Sequence, residues 1–227
     1  MILTIKNKTF FFIHIPKCGG TSISESLSKK ENNFYQFNSF RHNNISEDLK
    51  HIEEKKLNIK LEDAFIFASV RNPWDRMVSV YHFHKILNDG YPLAEICKKK
   101  SFSDFIKYTK DNYKNKNLFS IKTYEDFIFT NKKMCVDYFI DFNKIFEDFT
   151  FVTNLFEKKC KLLKINQTKH KEYAHYYDST NEDIVRKIFK FDIELFNYSF
   201  ENPKQFERPE PNWNKIKKLF PKKIKMM

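Results

Sequence analysis

Lys17, Cys18, Gly19, Gly20, Thr21 and Ser22 form a run whose residue types suit the binding of a phosphate-like anion. Two of the chain's three glycines stand side by side in it, directly after a stretch of bulky apolar residues. Glycine takes positive φ at no steric cost and lets a ligand approach the backbone, so a glycine pair can turn main-chain N–H groups toward an anion. A helix beginning at that point adds partial positive charge. Lys17 brings a full charge, and Thr21 and Ser22 bring hydroxyl donors. Taken alone, the same pair also suits a plain tight turn from strand to helix. The G-x-x-x-x-G-K-[ST] spacing of a Walker A loop is absent, and no carboxylate stands where a Walker B residue would hold magnesium.

The five arginines, Arg41, Arg71, Arg76, Arg186 and Arg208, are scarce among 41 basic residues. Arg71 opens the stretch RNPWDR, and Ser79 lies eight residues on. The arginine fork grips phosphate through two hydrogen bonds, which lysine cannot do. By residue type alone, Arg71 also suits a surface salt bridge and Ser79 a packed or solvated helix position.

These residues need elements to position them. TFFFIHI (9–15) is a short continuous apolar run and reads as a buried parallel strand. Residues 21–30 follow with Ile23 and Leu27 four apart, a helix with one apolar side. AFIFASV (64–70) reads as a second buried strand, and residues 71–87 as a helix capped by Asn72 with Pro73 in its first turn. DFTFVTNL (148–155) reads as a third strand, residues 101–147 as mostly helical, and residues 181–200 as one helix with Ile184, Ile188 and Phe191 along one side. Such alternation predicts an α/β fold with a central parallel sheet and helices on both faces. Ligands bind at the carboxyl ends of parallel strands, so Arg71 and the glycine loop are expected at one edge.

At 227 residues the chain suits one full-sized domain, expected over 1–203, followed by a basic tail over 204–227. The net charge is +12, and the tail carries +6 of it. A basic chain attracts polyanions such as nucleic acid, acidic glycans or anionic lipid. Its wealth of Lys, Asn, Ile and Phe is also what an A/T-rich genome encodes. Cys18, Cys97, Cys135 and Cys160 form no C-x-x-C pair, which suggests free thiols rather than a zinc site or a disulfide framework. No run approaches the about 20 apolar residues of a membrane span, and the first residues lack a signal-peptide cleavage pattern. A cytoplasmic protein is expected.

Together, FFIHIPKCGGTS (11–22) and FASVRNPWDRMVSVY (67–81) resemble the carbohydrate sulfotransferase family that uses 3′-phosphoadenosine 5′-phosphosulfate (PAPS). Residues 136–152 and 173–200 are similar to later family segments, so the resemblance spans nearly all of 9–200. It implies a three-layer α/β/α fold with a P-loop-like anion loop. It further implies that Lys17 contacts the phosphosulfate and offsets charge on the leaving phosphate. Cys18, Gly19, Gly20, Thr21 and Ser22 would hold the 5′-phosphate, and Arg71 and Ser79 the 3′-phosphate that separates this donor from ATP. Lys169 and Lys171 fall where the family places a loop over the nucleotide. A base must take the acceptor proton, and His42, between the two motifs, matches a family histidine; an acidic residue is the alternative. Asn43 and Asn44 replace the small residue and threonine usual after it. His14 reads as structural, and His51, His82, His84, His170 and His175 as exposed or packing residues. The family's Pro-Gln segment is missing; residues 118–135 run LFSIKTYEDFIFTNKKMC.

The implied activity is in-line sulfuryl transfer to a hydroxyl of a carbohydrate acceptor, acidic glycans included, with no metal and no specific nucleic-acid partner. Two alternatives stay open. A P-loop-type kinase shares the anion loop and would need Walker spacing and magnesium ligands. A non-enzymatic polyanion binder would use the lysine-rich tail, with Trp213 and Phe220 as apolar grip.

Overall fold

The computed structural model describes residues 1–5, 8–28, 34–35, 42–87, 90–155, 160–165 and 170–221. In chain order the elements are β1 (Ile2–Ile5), β2 (Lys8–Ile13), α1 (Gly20–Ser28), β3 (Phe34–Tyr35), α2 (Ile45–Glu54), β4 (Ala64–Val70), α3 (Pro73–Ile86), α4 (Pro92–Lys99) and α5 (Phe102–Asn112). They continue as α6 (Glu125–Ile128), β5 (Phe129–Thr130), β6 (Lys133–Met134), β7 (Tyr138–Asp141), α7 (Ile145–Leu155), α8 (Ser179–Ile188), α9 (Lys190–Leu195) and α10 (Trp213–Leu219). The chain divides into two compact units, one of Met1–Val70, Asp126–Asn166 and Arg208–Met227, the other of Arg71–Glu125 and Gln167–Glu207. Among the described residues no helix is long and apolar enough to cross a membrane.

The first unit holds a five-stranded, mostly parallel sheet in the order β3-β1-β2-β4-β7. The continuous apolar runs of β2 and β4 pair in parallel, with Phe12 opposite Phe67 and Ile13 opposite Ala68. β7 joins β4 in parallel, with Phe67 opposite Tyr138. β1 and β3 enter antiparallel. β1 escapes the sequence because its four residues run into β2 with only Lys6 and Asn7 between. Side chains alternate along a strand, and Phe10, Phe12, Phe65, Phe67, Tyr138 and Ile140 share a core with α1, α7 and α10. Phe11, Ile13, Ile66, Ala68 and Phe139, at the intervening positions, are buried as well. Burial on both faces is why these strands lack a polar alternation.

The third parallel strand is β7, not residues 148–155, which belong to helix α7. The aromatic and β-branched residues of that stretch favour a strand by propensity. Tertiary packing overrides it, because Phe149, Val152 and Leu155 recur at helical spacing and enter the core. Asp148 fastens the helix to the strand: it accepts from the Asp141 amide at 2.7 Å and from the Tyr138 hydroxyl at 2.9 Å.

Residues 208–220 are likewise no solvated tail. Arg208 pairs with Asp148 and donates to the Phe139 carbonyl at 2.7 Å. Lys215 pairs with Asp137 at 2.8 Å, and the same carboxylate accepts from the Ile66 amide at 2.8 Å. Burial raises the Asp137 carboxyl above its ordinary value, and Lys215 opposes that rise. Ile216 and Phe220 are buried in the core, and the Phe220 ring stacks on Phe10 at 5.6 Å. Lys222, Lys223 and Lys225 lie outside the described residues.

In the second unit the Asn72 side chain caps α3 by accepting from the Trp74 amide at 3.1 Å, with Pro73 in the first turn. The Trp74 indole donates to the Glu182 carbonyl at 3.2 Å, and the Tyr177 hydroxyl to the Trp74 carbonyl at 2.9 Å. The expected single helix over 181–200 is two, α8 and α9, broken at Phe189, whose ψ of 25° ends the first.

Phe220→Ala should lower stability by about 3–5 kcal/mol, the cost of emptying a buried aromatic site. Urea unfolding of the full chain measures it; a change within about 0.5 kcal/mol would be the mark of an exposed tail.

Candidate active site

β2 ends at Ile13, residues 16–19 form a turn, and α1 begins at Gly20. The first intrahelical bond runs from the Ile23 amide to the Gly19 carbonyl at 3.2 Å. The amides of Gly20, Thr21 and Ser22 therefore precede the helical ladder, where backbone donors suit an anion. The first turn holds no acidic residue.

The two glycines serve different needs. Gly19 has φ +81°, the left-handed region glycine occupies freely. Gly20 is helical, and what excludes a side chain there is space. A Cβ on Gly20 would stand 2.1 Å from His14 Cδ2, 2.3 Å from Nε2 and 2.8 Å from Cγ. The His14 ring is 4% exposed and lies over Phe12 at 5.7 Å, so it has little room to yield. The second left-handed residue of the turn is Lys17, with φ 64°, an uncommon conformation for a lysine. Cys18 is fully buried, with its thiol directed to the Pro16 carbonyl at 3.6 Å, so its main chain is what it offers the loop. The Ser22 hydroxyl accepts from the Ile165 amide at 3.2 Å and ties α1 to residues 163–165, as Ser26 does through the Leu163 amide at 2.9 Å. Thr21 is half-buried.

His42 meets this loop through His14. Its Nδ1 lies 3.1 Å from the His14 carbonyl oxygen, and the two rings meet edge to face at 4.4 Å. A carbonyl only accepts, so this contact assigns the proton to Nδ1 and, in the neutral ring, the lone pair to Nε2. The two asparagines after His42 have a local cause. Asn44 caps α2 in a capping box with Glu47, both bonds being 2.9 Å, and Asn43 donates to Asp48 at 3.0 Å. His14 thus supports both Gly20 and His42. Its place in the sequence, on a strand just ahead of the glycines, gives it no sign of either duty.

Arg71 and Ser79 belong to the second unit. Arg71 follows directly on β4, and its guanidinium is held in a bidentate pair by Asp75, Nε to Oδ2 at 2.6 Å and Nη2 to Oδ1 at 2.8 Å. The Arg71 side chain is only 11% exposed, unlike a surface salt bridge. The pair uses two of the five guanidinium donors, and it fixes the plane of the fork. Asp75 is not among the residues expected here from sequence; its i+4 spacing from Arg71 is the signal that finds it. Ser79, two turns into α3, is buried. Lys169 lies outside the described residues, as does Arg41. Lys171 is exposed, with its amide donating to the Tyr176 hydroxyl at 3.3 Å. Of the remaining histidines, His51 pairs with Glu54, His84 with Ser120, and His82 stacks on His170 at 5.4 Å, while His175 is exposed. Among the described residues no group of three or more His, Cys, Asp or Glu could hold a metal ion.

A family model described as the sulfotransferase family matches residues 1–199, and the chain belongs to that family. No curated protein and no solved structure gives a match to the chain.

Replacing glycine by alanine within a helix ordinarily gains up to about 1 kcal/mol. Gly20→Ala should do the reverse and destabilise by about 1–3 kcal/mol, the range for forced overpacking. In a His14→Ala background most of that cost should vanish, giving a coupling of about 1 kcal/mol or more in a urea-unfolding double-mutant cycle.

Proposed function

We propose that this sulfotransferase moves a sulfuryl group from PAPS to a hydroxyl of a carbohydrate acceptor, directly and without a covalent enzyme intermediate. The observation that carries the proposal is the meeting of the anion loop and His42 on one residue, His14, which packs under Gly20 and orders the His42 imidazole. The donor supplies an activated sulfur. The acceptor oxygen forms its bond to that sulfur as the bond from sulfur to the bridging phosphate oxygen breaks. The acceptor proton passes to Nε2 of His42, the nitrogen that Nδ1 bonding leaves with the lone pair. Lys17 meets the charge that develops on the departing 5′-phosphate, and the amides of Cys18 to Ser22, with the Thr21 hydroxyl, bind that phosphate. Arg71 and Ser79 recognise the 3′-phosphate. Asp75 already holds the Arg71 fork planar and oriented, which lowers the entropy lost when it grips a ligand.

The lysine-rich C-terminal stretch gives little support to a polyanion binder that uses it as a free arm. Phe220 packs in the core and Trp213 packs against it, and Arg208 and Lys215 are paired with buried carboxylates. An acidic glycan would instead meet the exposed Lys217 and Lys218 of α10.

Calorimetry of 3′-phosphoadenosine 5′-phosphate against ADP, without magnesium, tests the donor. A preference for the 3′-phosphate of roughly tenfold or more, lost in Arg71→Ala, is expected from the worth of charged hydrogen bonds. Equal binding, or ADP binding only with magnesium, would favour a kinase-like protein. With PAPS and a panel of polysaccharide acceptors, His42→Ala should cut turnover by about 10²–10⁴ while nucleotide affinity stays unchanged.

A further inference from the structure

The stretch between Leu118 and Cys135, where the sequence departs from the family pattern, places a buried tyrosine against the residue read as the 3′-phosphate ligand. Arg71 is the single residue between the last residue of β4, Val70, and the helix cap Asn72. Beyond the strand ladder and ahead of the helix, its main chain needs partners from elsewhere. One atom supplies both. The Tyr124 hydroxyl accepts from the Arg71 amide at 3.0 Å and donates to the Arg71 carbonyl.

Tyr124 is fully buried and itself firmly held. Its amide donates to both oxygens of Asp192, at 2.9 and 3.0 Å, and Asp192 is fully buried too. The Arg76 guanidinium stands 5.1 Å from the centre of the Tyr124 ring. Arg76 also donates to the carbonyls of Lys122 at 2.9 Å and Ser120 at 3.2 Å, the residues just ahead of Tyr124. The RNPWDR stretch therefore closes on itself. Its second arginine holds residues 120–124, and Tyr124 from that segment holds the main chain of its first arginine. All of these residues lie in the second unit.

We infer that Tyr124 is a positioning residue for the nucleotide's 3′-phosphate, acting through the Arg71 backbone, with Asp192 and Arg76 as its supports. This rests on Arg71 being the 3′-phosphate ligand. A guanidinium recognises phosphate only where its fork is aimed, and its aim follows the main chain from which it springs. Asp75 orients the distal end of the side chain and Tyr124 its root. Phenylalanine at 124 keeps the ring and removes only the atom that bonds Arg71.

The test uses the full chain and two ligands, 3′-phosphoadenosine 5′-phosphate and adenosine 5′-monophosphate, which differ in the 3′-phosphate. Tyr124→Phe should raise the Kd of the first roughly tenfold and leave that of the second within about twofold, in line with the loss of a buried hydrogen-bond partner. Weakening both ligands alike would mark a merely structural role and overturn the inference, as would an unchanged Kd for the first. Asp192→Asn, which keeps the shape and weakens the grip on the Tyr124 amide, should show the same selective loss to a smaller degree. It decides the matter should Tyr124→Phe fail to fold. Arg71→Ala separates the two levels. If that change leaves the 3′-phosphate preference intact, the ligand assignment is wrong and the inference falls with it. If it abolishes the preference while Tyr124→Phe and Asp192→Asn do not, the assignment stands and the inference alone is overturned.

Discussion

The His14 ring occupies the volume that a side chain at position 20 would need. From that one packing constraint the candidate site follows. The chain can bring the start of α1 down onto the end of β2 only if residue 20 has no Cβ, and this close approach sets where the amides of the first helical turn begin. The same His14 presents its carbonyl to His42, and the two rings meet edge to face, so the tautomer of one histidine is written into the backbone of the other. A residue that makes no claim to chemistry by its position thus fixes both the glycine loop and the imidazole beside it.

Buried carboxylates do comparable work away from that point. Asp137 and Asp192 each accept from a main-chain amide distant in sequence, and Asp148 accepts from the nearby Asp141 amide while pairing with the distant Arg208; all three join segments that hydrophobic packing alone would leave free to slide. Asp148 has Arg208 and Asp137 has Lys215 as counter-charge. Placing a carboxylate in a core is costly unless charge and hydrogen bonds compensate, and here both do. Such sites reward one arrangement and penalise neighbouring ones, which adds definition to a core built largely of interchangeable phenylalanine rings.

The legible parts of the sequence were those decided locally. β4 was read to the residue because seven apolar or small residues are bounded by an acidic turn and by Arg71-Asn72-Pro73. The α3 start was legible because asparagine before proline has one good use, as a cap. The glycine pair announced a close approach without saying what approached. What stayed hidden depended on partners far along the chain. Residues 148–155 have strand-like composition, and only the core contributed by β2, β4 and β7 makes them a helix face. Lys215 and Arg208 look like solvated charges until Asp137 and Asp148 are placed beside them. Tyr124 is an ordinary aromatic in sequence, 53 residues from the main chain its hydroxyl bonds.

The core of the first unit is assembled from three separated stretches of chain, and its closing pieces, Ile216 and Phe220, come after every residue of the second unit. During synthesis the strands that carry the glycine loop are therefore made early but stay without part of their apolar cover until α10 emerges. The second unit, complete at Glu207, can consolidate first. Domains made first ordinarily fold first; here the order is inverted for the unit that opens the chain. For as long as α10 is missing, Phe10 and Phe65 lack the Phe220 ring that packs on both, and the nascent sheet presents apolar surface to whatever else is in solution.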